Sequence, residues 1–170
     1  MNTHDIQTLY DYNYWANKRI LTAAAQLSQD QFTAPAAHSY GSLRGTIVHL
    51  LDAEYAWRML LQHKTLEHFR ELKADDFPTV DALAERWRED ERSMRAWLAT
   101  LTDADLAGTI RYTTDEGGTR ERVLWHCLWH VVNHGTQHRS EAAVILTDYG
   151  FSPGGLDFTA FLNEYAALLG

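Results

Sequence analysis

The stretch HCLWHVVNHGTQHR, residues 126–139, carries four of the chain's nine histidines at a spacing of four: His126, His130, His134 and His138. A neutral imidazole is a metal ligand, a base and a proton carrier. Two of them at i and i+4 share a helix face and can grip one cation. Gly135 rather than Glu follows His134, so the H-E-x-x-H signature is absent. A pair gives two ligands, and a stable site needs a third from another element.

Helical angles sort the ladder. With Val131 at zero and about 100° per residue, Leu124, Cys127, Leu128, Ala142 and Ile145 fall between about −40° and +60°, which defines the apolar stripe. His138 at about −20° and His134 at about −60° join that stripe. His130 at about −100° lies on its flank, and His126 at about −140° points away. In the second helix, Thr46, His49, Ala53, Ala56 and Leu60 form the inward stripe, opposite Arg44, Glu54 and Arg58. Three inward histidines from two helices are hard to explain as core residues alone, because each buried ring needs partners for both nitrogens. His49, His134 and His138 are therefore the candidate metal ligands. His130 is expected to support rather than ligate, and His4, His38, His63, His68 and His126 to lie on the surface or in loops.

No general base or other catalytic residue can be assigned. Asp52 and Glu54 neighbour His49 in the chain, but the angles put Glu54 on the far side. Glu141, at about −80°, borders the metal stripe and is placed to accept from an imidazole N–H; a surface position is its simpler expectation. Asp90 and Asn13 interrupt apolar stripes. Cys127 is expected to be a small core residue. Tyr12, Trp15, Trp57, Trp125 and Trp129 can line a pocket, although such aromatics more often fill a core or a dimer interface.

These residues need a frame of helices. Periodicity predicts helices over 4–27, 42–63, 79–102, 120–148 and 157–168, with Ser42 and Asp157 as N-caps and Gly150 as a stop. Residues 108–119, GTIRYTTDEGGT, predict a short hairpin or extended excursion. The expected fold is all-α: an antiparallel four-helix bundle with a short fifth helix, one domain over 1–170. Apolar content of 45% and charged content of 22% fit an ordinary globular protein. A net charge of −8 disfavours nucleic acid and anionic membranes as partners. A lone cysteine, no signal-peptide pattern and no membrane-length apolar run lead us to expect a cytoplasmic protein.

The segments YNYWANKRI, GSLRGTIVHLLDAEYAW and HVVNHGTQHRSEAAVIL, with the tail YGFSPGGLDFTAFL, resemble the DinB-like family of metal-dependent proteins. The resemblance spans nearly the whole chain. It implies a four-helix bundle, often a homodimer, with a divalent metal held by one histidine of the second helix and an i, i+4 pair of the fourth. Carried over, these are again His49, His134 and His138. Ser140 stands where that family usually has Gly. Three neutral imidazoles would leave the ion's charge intact and a position open, as in catalytic zinc sites. Zinc is the first expectation, with nickel, iron or manganese as alternatives. The implied function is transfer of an activated low-molecular-weight thiol to a small-molecule substrate. The alternatives are metal-dependent hydrolysis and a non-catalytic metal-binding stress protein.

Overall fold

The computed structural model describes residues 1–37, 40–114 and 116–169, with side chains as far as residue 165. It is mostly helical with a small two-stranded sheet. Four long helices carry the fold: α1 (Thr3–Ala24), α3 (Leu43–His63), α4 (Val80–Leu98) and α6 (Leu124–Asp148). Short helices α2 (Gln29–Thr33) and α5 (Asp103–Ala107) and a terminal α7 (Phe158–Leu169) complete it. α6 packs against α1 and α3, and α4 packs against the same two. No helix among the described residues is long and apolar enough to cross a membrane.

Local chemistry sets the boundaries. Asn2 and Asp5 form a capping box that starts α1. Ser42 accepts the Gly45 N–H at 2.9 Å and starts α3. Asp157 accepts the Ala160 N–H at 2.9 Å and starts α7. Gly150, at φ +86°, lets the chain leave α6 in a conformation that other residues avoid. α1 ends at Ala24 rather than at 27. α4 ends at Leu98 rather than at 102, and Thr102 caps the separate helix α5 instead.

The expected start of the fourth helix at 120 is corrected. Residues Thr119–Val123 form strand β2, antiparallel to β1 (Thr109–Thr113), with Ile110 opposite Arg122 and Tyr112 opposite Arg120. The reason is pairing: β-branched Thr119 and Val123 flank charged residues that find cross-strand partners, and α6 begins only where the apolar run starts at Leu124. The Thr113 N–H bonds the Lys64 carbonyl at 3.2 Å, which ties the hairpin to the end of α3.

The core is split in two. One apolar cluster gathers around Tyr10, Leu60, Met94 and Leu128, the other around Ile20, Leu51, Leu83 and Leu146. Between them lies a buried polar layer to which all four long helices contribute. Glu54 of α3 was expected on the far side of its helix; it is buried at 5% exposure. Its Oε1 accepts from Asn13 and Asn17 of α1, both at 2.8 Å, and its Oε2 accepts from the Trp87 indole of α4 at 2.9 Å. Arg139 of α6, 1% exposed, donates Nη1 to the Oδ1 atoms of the same asparagines at 2.6 and 2.9 Å. Three donors and a nearby guanidinium offset the desolvation of the carboxylate, which burial alone would forbid. Gly135 admits the guanidinium: a Cβ there would stand 2.6 Å from Arg139 Nη1.

Removing the carboxylate strands two amides, an indole and a buried cation. Glu54→Ala is expected to lose about 3–5 kcal/mol of stability, and Glu54→Gln clearly less. Urea unfolding followed by circular dichroism checks this. A loss below about 1 kcal/mol for the alanine variant would mean that the layer does not hold the fold together.

Candidate metal centre

α3 and α6 lie side by side, and imidazoles from both meet at their seam. His49, His134 and His138 each offer a ring nitrogen, and these atoms all lie within 4.8 Å of one another. Nε2 of His49 and Nε2 of His134 are 3.3 Å apart. Two nitrogens sharing a tetrahedral zinc at about 2.0–2.1 Å each are about 3.3–3.4 Å from one another, so this pair has the spacing of a shared ion. The His138 ring stands nearly upright to that of His49, at 81° and 4.7 Å between centroids. The cluster could hold a metal ion.

Glu141 takes the supporting place rather than the plain surface position expected for it. Its Oε2 lies 2.8 Å from Nδ1 of His138. A carboxylate at Nδ1 keeps the proton there and leaves the Nε2 lone pair for a ligand bond. Tyr40, in the loop before α3, stacks on His49 with centroids 3.7 Å apart and planes at 16°. Sequence reasoning missed it, because a loop residue has no periodicity to betray its direction. His38 lies outside the described residues.

The other candidates sort away from the triad. Asp90 is buried, and Arg58 grips its Oδ1 with Nε at 2.8 Å and Nη2 at 2.6 Å. Asp52 accepts the Leu72 N–H at 2.7 Å and pins the loop after α3. Asn13 belongs to the polar layer. Tyr12 and Trp15 pack against Phe161 of α7, while Trp129 is 43% exposed. His4, His63, His68 and His126 are exposed. His130 is exposed as well, with its ring 6.0 Å from that of His134 and 5.0 Å from that of Trp57. It lines a cavity of about 520 Å³ between α3, α6 and the hairpin. Cys127 is buried in the wall of that cavity, and burial pushes its thiol pKa up, which suits a packing role.

His49 and His134 resist protonation. Burial, then the neighbouring His138, lowers the His49 pKa to about 4, against a smaller opposing pull from Glu141. Burial, then His138, His49 and His130, lowers that of His134 to about 4. Both rings thus keep their lone pairs throughout the neutral range. The unfolded chain takes up these protons near 6.5, the folded chain only near 4. Between those values the unfolded state binds more protons, so stability falls as pH drops through the window and levels off below it. Urea midpoints of chelator-treated protein from pH 7 to pH 4 should show this decline, shallower in His49→Gln. A flat profile in the unsubstituted protein would contradict it.

Over 157 residues the chain is 24% identical to Protein DinB of Bacillus subtilis (strain 168), a match covering 91% of each chain. The DinB family model matches residues 1–166. With nearly its whole length matched, the chain belongs to the DinB family.

Proposed function

We propose that this protein is a divalent-metal-dependent enzyme whose ion is held by His49, His134 and His138, and that it transfers an activated thiolate to a small-molecule electrophile. The observation that carries this reading is the convergence of three imidazole nitrogens from two helices beside a cavity of ligand size. Zinc is the first expectation, and nickel, iron or manganese would suit the same donors. A divalent ion bound by three neutral ligands supplies a lowered pKa to a water or thiol and polarises an acceptor group. Metal-dependent hydrolysis is the second reading, since water can take the place of the thiol.

The chain's own residues prepare the site. Glu141 orients His138. Tyr40 covers one face of His49 and restricts solvent there. The polar layer fixes α3 against α6 and so holds the two ligand-bearing helices in register. We take the four long helices to form the antiparallel bundle of the family. A cytoplasmic location and a homodimer belong to the same reading; exposed Trp129 is an aromatic surface of the kind that copies of a chain bury.

Elemental analysis of untagged protein purified without chelator should find about one divalent ion per chain, lost in His49→Ala. Glu141→Gln should weaken metal affinity about 10–100-fold while leaving the fold intact. Metal-free protein whose melting temperature ignores added zinc and nickel would sink the proposal. Full metal content with no turnover of any thiol or hydrolysis substrate would favour the non-catalytic alternative.

A further inference from the structure

The cavity beside the triad has an unusual wall. An amphipathic hairpin normally turns apolar side chains toward the body of the protein on both strands. β1 does so with Ile110 and Tyr112, both buried. On β2 the residues directly opposite are Arg122 and Arg120, and cross-strand partners share a face. Both arginines line the cavity.

Their bonds to the described residues leave most donors unused. Arg122 donates Nε to the Tyr112 hydroxyl at 3.3 Å, and Arg120 donates Nη1 to the Thr119 carbonyl at 3.2 Å. Among the described residues, neither guanidinium is paired with a carboxylate, and none of the residues lining the cavity is acidic. In a chain of net charge −8, this is a local concentration of positive charge. Trp57, Leu60 and Leu66 supply an apolar stretch of wall, with the Trp57 ring edge-on to that of Tyr112 at 6.0 Å between centroids. Arg122 is close enough to bias the ionisation of both His130 and Cys127, so the charge reaches the cavity's inner side.

We infer that this cavity binds a small amphipathic organic anion, with its oxyanion group on Arg120 and Arg122 and its apolar body against Trp57 and Tyr112. The forked guanidinium suits a planar or tetrahedral oxyanion, and the aromatic walls suit a ring or short alkyl chain. His130 is the step from cavity to triad, one helical turn from His134. Anion binding by the hairpin does not rest on the proposed metal site.

The test is calorimetric titration of the full chain with phenylacetate and with its neutral amide, phenylacetamide. In chelator-treated protein the acid should bind at least about tenfold more tightly than the amide. Arg120→Gln/Arg122→Gln should erase that difference, while Arg111→Gln, on the opposite face of the hairpin, should keep it. The single variant Arg120→Gln, at an exposed position, tests the point again should the double variant fold poorly. His49→Ala should bind the acid as the unsubstituted protein does, which separates this inference from the metal reading. Equal affinity for acid and amide would overturn it. So would a preference that survives loss of both arginines, or one that appears only with added zinc and vanishes in His49→Ala.

Discussion

Arg139 and Glu54 share two asparagines in the middle of the protein, and that shared contact sets the height and rotation of every long helix. Each helix brings one part of it: Asn13 and Asn17 from α1, Glu54 from α3, Trp87 from α4, Arg139 from α6. Apolar side chains tolerate a helix that slides or turns by a few degrees. A carboxylate that must meet three donors in a dry interior does not. A shift of one turn along α6 would bury a cation among leucines. Specificity of register is the best-attested role of such groups, and here the register fixed is that of α3 on α6.

The triad is the outer rim of the same layer. His138 precedes Arg139 directly, and His49 lies little more than a turn before Glu54 on α3. One side of each helix is anchored in the interior, and the adjacent side presents imidazoles to the seam. The protein's own interior thus sets the register of the two helices that carry the ring nitrogens to the seam. The remaining histidines of α6 follow the edge of the neighbouring cavity, which explains a ladder whose rungs differ in role.

Much of this was legible in the sequence, and the failures have causes. The angles on the last long helix turned His138 and His134 inward and His130 to the flank, and the structure has His138 buried, His134 half-buried and His130 exposed. His49 was expected in a buried stripe and is half-buried, at the seam rather than in the core. The angles put Glu54 on the far side of its helix, with Arg44 and Arg58, and one helix seen alone cannot show the partners that offset its burial. The signal available was the pair Asn13 and Asn17 on the inward face of α1, together with an arginine directly after a core histidine. Helical periodicity extends back from 124 to 120, where pairing with the neighbouring strand β1 prevails. Pairing of that kind leaves only an alternation in the sequence, and TRERV shows little of it.

Gly135 carries a consequence for redesign. The most direct way to furnish a paired-histidine helix with a proton acceptor is a glutamate just after the first histidine. At this position the side-chain direction leads into the guanidinium of Arg139 and the amide oxygen of Asn13, not toward the seam. A carboxylate placed there would compete with Glu54 for its partners and would never reach a bound ion. Even alanine, which ordinarily strengthens a helix by about 1 kcal/mol over glycine, would push the interior apart. The protein has thus committed that position to architecture, and any proton acceptor has to approach the triad from its open side.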